Sequence, residues 1–293
     1  MTDRNIIRCV LCVCVFLIAF MQSVTVLAQC PDPDPSAALA AQWMDKQPVR
    51  GLPATLTLEA AACMREHLVE KLHGAMGRVV GYKAALTNPA VQKRFSTNAP
   101  VRGMLLARML TMESAFPVSV NYASRPVIEA DLLVEVGDEA INDARTPLEA
   151  LQSLSRIIPF IELADLVVAE GEPINAAVIT AINAGARGGI FGQGITVEPT
   201  ARFADALRDM RVIMTDDKGV EHVNVDGAAI LGHPLNAVLW LVEDIRKSGG
   251  RLHAGDKLSL GSFSAPLVPQ SEMRLKVRYV GLPGDPQINV RFK

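Results

Sequence analysis

Two acidic residues lie two positions apart in RPVIEADLLVEV, residues 125–136. The lettering is that of a strand, with Ile128, Ala130, Leu132 and Val134 on one side and Glu129 and Asp131 on the other. Side chains at i and i+2 stand roughly 6.5–7 Å apart along a strand, so two carboxylates there repel unless their face is wet or a cation lies between them. PFIELAD, residues 159–165, reads as a second short strand with Glu162 between Ile161 and Leu163. If it returns beside the first, three carboxylates converge on one point. Hard oxygen ligands of this kind suit Mg2+ or Mn2+ better than zinc. Spacing alone favours a half-solvated sheet whose acids face water.

Lys83 is a further candidate. It lies in the apolar run VVGYKAALT, where an ammonium needs an anionic partner or must snorkel to the surface. The Gly-rich stretch NAGARGGIFGQG (183–194) has neither GxGxxG spacing nor the Lys-Ser/Thr pair of a phosphate loop. It reads either as a tight turn near the acids, with Arg187 as an anion contact, or as a plain connecting loop. His67, His73, His222, His233 and His253 are scattered without metal spacing, and the serines near the C-terminus form no G-x-S-x-G elbow.

The elements that must position these residues are legible in outline. SAALAAQWMDK and TLEAAACMREHLVEKLH read as two helices around a turn at Gly51-Leu52-Pro53, with Thr57 as N-cap of the second. TPLEALQSLSRII (146–158) carries Thr146 as N-cap, Pro147 in the first turn and Glu149 completing a capping box, which predicts a helix over that span. HPLNAVLWLVEDIRKSGG (233–250) is another. Two hairpins join RVIMT to VEHVNV and MRLKVRYV to QINVRF. Strands outnumber helices, so the expected class is α+β with a β-rich core.

The chain has 293 residues, 49% of them hydrophobic, which is enough for one large domain with an appendage. Its net charge is −2 and 5% of residues are aromatic, so nucleic acid is not an expected partner. Arg4 and Arg8 precede an apolar run from Cys9 to Phe20, and Val26-Leu27-Ala28 fits a cleavage site. Residues 1–28 are expected to be a signal peptide, with an uncleaved anchor helix as the alternative, and the mature protein to be periplasmic or secreted and free of the membrane. Cys30 and Cys63 survive cleavage into a compartment that tolerates disulfides, and their pairing is worth roughly 2–4 kcal/mol. With no CxxC and no histidine cluster nearby, they do not suggest zinc.

Taken in order, GYKAALT, RPVIEADLL, PFIELAD, NAGARGGIFG and LHAGDKLSLGS resemble the motif set of the 2-keto-4-pentenoate hydratases, in the fumarylacetoacetate hydrolase superfamily. The resemblance runs from about residue 36 to the C-terminus. It implies a mixed β-roll of the superfamily's C-terminal type over residues 77–293, preceded by a linker and small helical subdomain over 29–76. It implies a divalent metal, Mg2+ or Mn2+, held by an E-x-[ED] pair and a later Glu, which fall on Glu129, Asp131 and Glu162. The family's active-site lysine falls on Lys83, which is expected to act on the substrate rather than on the fold. The implied activity is a hydro-lyase reaction, or a decarboxylation, of a small 2-oxo acid through a metal-stabilised enolate, in a homo-oligomer. Two positions depart from the pattern. Ala107 and Arg108 stand in RGMLLARML where hydratases carry an acid, and Arg187-Gly188 replaces a hydroxyl-bearing loop. These changes leave two other functions open: a non-catalytic binding protein for an oxo acid or dicarboxylate, or a structural protein with a vestigial site.

Overall fold

The computed structural model describes residues 30–31, 34–53, 55–113 and 116–293. The expected signal peptide at 1–28 lies outside them. The N-terminal helices form where their lettering places them, as α1 (Ser36–Met44) and α2 (Leu58–Met76). The Thr57 hydroxyl accepts the Ala60 N–H and caps α2. Ala61, Met64, Leu68 and Leu72 recur at helical spacing and give α2 one buried face.

The chain then runs through β1 (Val79–Ala85), α3 (Pro89–Arg94), β2 (Val101–Leu106), β3 (Leu110–Met112) and β4 (Pro126–Val136). It continues with α4 (Pro147–Gln152), β5 (Leu154–Asp165), α5 (Ala176–Ala181), β6 (Gly188–Phe191) and β7 (Ile195–Thr196). Last come α6 (Ala201–Asp209), β8 (Arg211–Asp216), β9 (Glu221–Asp226), α7 (Pro234–Lys247), β10 (Lys257–Ser259), β11 (Arg274–Val280) and β12 (Gln287–Arg291). Among the described residues these strands make two sheets. The larger has the order β2-β1-β10-β4-β5-β6-β3, with β7 also on β5, and the smaller β12-β11-β8-β9. The β1–β10 and β3–β6 pairs are parallel and the other pairs antiparallel, so the larger sheet is mixed. Both expected hairpins are present in the smaller sheet.

One expected helix is cut short. The Thr146–Glu149 capping box forms, but α4 stops at Gln152 and the rest of the segment belongs to β5. Pro159 biases the residue before it away from the helical region. The β-branched Ile157, Ile158 and Ile161 then pair along β4, from Leu154 opposite Val136 to Asp165 opposite Pro126. The short strand expected at 159–165 is therefore the second half of a longer one.

β4 is not half-solvated. Ile128, Ala130, Leu132 and Val134 pack into a core shared with α4, α6, α7 and the smaller sheet. Leu133, on the opposite face, packs with Ile158 and Phe160 into a second core that includes residues of α1, α2 and α5. Glu129 and Asp131 share the Leu133 face, so the acids lie on the side roofed by the N-terminal helices.

Candidate active site

The β4–β5 register puts Glu129 directly opposite Glu162 and Asp131 opposite Phe160, so the three acids meet on one face. Lys83 on β1 reaches the same place. Its Nζ donates to Glu162 Oε1 at 2.5 Å and to the Ala184 carbonyl at 2.8 Å. Lys83, Asp131 and Glu162 are 3%, 0% and 2% exposed, and Glu129 is half-buried.

Burial pushes the Glu129 carboxyl up to about 8, with the Glu162 charge adding to the effect and Lys83 opposing it. Asp131 is pushed up to about 7, first by burial and then by Glu162, while hydrogen bonds from Ser259 and Leu132 pull it down. Burial works against the Lys83 ammonium, yet Glu162, Glu129 and Asp131 outweigh it and raise its pKa. The lysine is thus a fixed cation among more negative charge than it can match. Without another cation, burial and mutual repulsion favour the protonated forms of Glu129 and Asp131.

The donor chemistry suits a divalent metal: three carboxylates share one face, with oxygens that do not all lie within 4.8 Å of one another. Glu162 Oε2 is buried and has no hydrogen-bond partner. Leaving such an acceptor unmet costs about 1–3 kcal/mol or more. Asp131 accepts from Leu132 N (2.5 Å) and Gly261 N (3.1 Å) on Oδ1, and from Ser259 Oγ (2.5 Å) on Oδ2. Three of its four or so acceptor directions are used, which fixes the carboxylate and leaves one direction open.

Gly261, Gly103 and the tight turn at the start of the Gly-rich stretch hold this arrangement. Gly261 places its N–H on Asp131 with φ +105°, and a Cβ there would lie 2.2 Å from Thr87 Oγ1. Asn183 and Ala184 have φ of 57° and 54°, a left-handed pair costing about 1–3 kcal/mol each. The Asn183 amide offsets this by pairing with both Met104 N (2.7 Å) and Met104 O (2.9 Å). Gly103 makes the approach possible, since a Cβ there would sit 2.7 Å from the Asn183 carbonyl. The turn aims the Ala184 carbonyl at Lys83.

Two tyrosine hydroxyls flank the Glu129–Glu162 rung. Tyr122 donates to Val127 O at 2.6 Å and lies 3.3 Å from Ala164 O, one rung pair to one side. Tyr279, from the smaller sheet, accepts from Phe160 N at 3.2 Å and donates to Asp131 O, one rung pair to the other side. Burial raises both phenols well above their ordinary range, so both stay protonated as donors. Tyr279 left a usable signal: it occupies the buried phase of LKVRYV, and a buried hydroxyl needs a partner.

Arg187 has partners other than the three acids. Its guanidinium stacks 3.9 Å from the Trp43 ring centroid, donates to the Trp43 carbonyl and lies 3.7 Å from Asp165 Oδ2. The Gly-rich stretch thus does two separate jobs. Its left-handed turn serves Lys83, and its arginine ties α1 to the end of β5. Arg108 donates to Ala75 O at 3.0 Å, at the C-terminal end of α2.

A rolled mixed sheet with acids and one lysine on its roofed face is the fold of the fumarylacetoacetate hydrolase type. 4-Oxalocrotonate decarboxylase from Pseudomonas putida G7, solved with calcium and acetate, superposes with a TM-score of 0.76 at 20% identity, over 89% of this chain and 98% of that one. TodF product hydratase of Pseudomonas putida F1 is 30% identical over 222 residues, covering 76% of this chain and 80% of the relative. 2-Keto-4-pentenoate hydratase 2 of Dechloromonas aromatica RCB is 27% identical over 253 residues, covering 84% and 93%. No family model matches the chain. The chain belongs to the 2-keto-4-pentenoate hydratase family of the fumarylacetoacetate hydrolase superfamily.

Proposed function

We propose that this protein is a divalent-cation-dependent lyase acting on a small 2-oxo acid, by hydration or decarboxylation. The observation that carries the reading is the orphaned Glu162 Oε2, buried beside Glu129 and Asp131 with Lys83 on its other oxygen. Glu129, Asp131 and Glu162 would hold Mg2+ or Mn2+. When bound, the cation supplies Lewis acidity toward the carboxylate and 2-oxo oxygens of the substrate.

The chain's own groups do the rest. Lys83 uses two of its three N–H groups on Glu162 and Ala184, which leaves one for the substrate. Its charge is fixed before substrate arrives and stabilises negative charge growing on the 2-oxo oxygen. Ser259, Leu132 and Gly261 keep Asp131 from turning, so the acid set needs no reorganisation. Lys83, Asp131 and Glu162 are buried, where a lower dielectric strengthens each of these interactions. The acid that hydratases are expected to carry near Ala107 is missing, so the proton for carbon comes from another donor. Export behind a signal peptide at residues 1–28 is part of the proposal, and the N-terminal sequence of the mature protein should begin near Gln29.

The test is a panel of 2-oxo acids with Mg2+ or Mn2+, followed by enol and enone absorbance and by carbon dioxide release. Turnover that a chelator abolishes and Glu162→Gln removes is the expected result. Tight binding of an oxo acid with no turnover would overturn it in favour of a capture protein.

A further inference from the structure

Apart from the carboxylates, the described residues hold another group of metal-ligating side chains. One Cys30 Sγ, one Cys63 Sγ and a His67 ring nitrogen all lie within 4.8 Å of one another, each partly buried. Cys63 and His67 are four apart on α2 and share a face. Cys30 arrives from the arm before α1 and is joined to Cys63 by a disulfide, with Cα atoms 5.3 Å apart. With no CxxC and no histidine cluster nearby, these cysteines did not suggest zinc. The i, i+4 spacing of Cys63 and His67 was the missed signal.

His67 is oriented by a carboxylate. Its Nδ1 lies 2.6 Å from Asp34 Oδ2. Nδ1 and Nε2 are 3.5 Å and 3.8 Å from Cys30 Sγ. With the Nδ1 proton held by Asp34, the free lone pair is on Nε2, 3.8 Å from Cys30 Sγ. A carboxylate holding one ring nitrogen of a histidine, so that the other is free to ligate, is the usual support of a zinc ligand. Two thiolates and an imidazole within this span can reach a common centre at the usual Zn–S distance of about 2.3 Å and Zn–N distance of about 2.0–2.1 Å.

We propose that Cys30, Cys63 and His67 form a redox-gated site for a soft or borderline cation such as Zn2+. The disulfide closes it, because both sulfurs are spent on each other. A dithiol reductant opens it by thiol–disulfide exchange, delivering two electrons and two protons and leaving as its own disulfide. Zn2+ then displaces the two thiol protons and binds two thiolates and neutral His67. Water completes the tetrahedron while Asp34 stays on His67 Nδ1. Either state ties the N-terminal arm to α2, by a covalent bond when oxidised and by a metal when reduced. The site is independent of the carboxylate cluster and of the activity proposed for it.

The experiment compares the mature chain as purified with the same chain reduced by dithiothreitol and desalted without oxygen. Zn2+ binding is read by competition with a chromophoric chelator, and Co2+ substitution by its thiolate charge-transfer absorbance. The reduced chain should bind one Zn2+ more than the oxidised chain, and the cobalt band should appear only after reduction. His67→Ala keeps the disulfide for folding and should weaken the extra site by more than tenfold once reduced. Asp34→Asn should weaken it about tenfold. Glu129→Ala should leave it unchanged, which separates it from the carboxylate cluster. Equal zinc uptake by oxidised and reduced chains would overturn the proposal, as would a reduced His67→Ala chain that binds like the parent. Circular dichroism of the reduced chain should match the oxidised one, and loss of the fold on reduction would also overturn it.

Discussion

The two sheets treat charge in opposite ways. In the smaller sheet exposure alternates residue by residue: Leu275, Val277 and Tyr279 of β11 point inward while Arg274, Lys276 and Arg278 face water. β12 repeats the pattern. In the larger sheet β4 and β5 are buried almost throughout, and Asp131, Glu162 and the facing Lys83 lie inside. Charge on the smaller sheet is solvated and costs little. Charge in the larger one is a standing cost, met partly by an ion pair and by hydrogen bonds to Asp131, and left unmet at Glu162 Oε2. The difference teaches that the smaller sheet is built to be stable and the larger to bind.

The comparison breaks most sharply at Lys83. Lys83→Met should lower turnover by about 10²–10³. It should also destabilise the metal-free protein by about 3 kcal/mol, because Glu162 loses its buried partner. The structure thus gives Lys83 a share in the fold as well as in the expected chemistry. Kinetics with urea unfolding read both effects, and an unaltered turnover number would leave Lys83 a purely structural partner.

pH should sharpen the contrast next. Glu129 and Asp131 are raised in the folded protein to about 8 and 7, from ordinary values of 4.5 and 3.8. Between those limits the folded protein holds more protons than the unfolded chain. Stability from these groups is therefore fully present below about pH 4 and is lost as pH rises through about 7 to 8. Thermal melts of chelator-treated protein should show this fall between pH 5 and 8, and saturating Mg2+ should remove it. A flat profile without metal would mean the acids are wet.

Tyr279→Phe comes third. It keeps the ring in the core but leaves the Phe160 N–H and Asp131 carbonyl without this hydroxyl, for about 1–3 kcal/mol. Metal affinity should fall along with stability, because the hydroxyl holds the strand at a carboxylate, and calorimetry would show it. Last, Arg278→Ser on the outer face of the smaller sheet should change stability by less than about 0.5 kcal/mol and leave metal affinity alone. A larger loss there would mean that this face is not free in solution.

Local chemistry was readable where it acts over a few residues. The Thr57 cap, the Thr146–Glu149 capping box and both hairpins form as their letters indicate. The length of β5 was not, because helix signals at Thr146 say nothing about where a helix must stop. Pairing with a partner strand decides that, and it overrode the apparent continuation past Gln152. The three acids could be named from strand lettering and motif order. Most of their supporting shell was hidden: Ser259 and Gly261 reach Asp131 from a distant segment, over contacts that leave no local pattern, and Tyr279 left a trace only in the buried phase of its own strand.

By itself, the sequence determined which residues carry charge, which faces of the hairpins are apolar and where helices begin. Those are properties of side chains and of neighbours three or four positions away. Only the tertiary structure decided that Asp131 and Glu162 are dry and Glu129 half-buried, that Lys83 is bound to Glu162, and that Arg187 stacks on Trp43. Burial, and with it the cost and direction of every buried charge here, is set by what the rest of the chain lays over a strand. No stretch of the strand's own letters contains that.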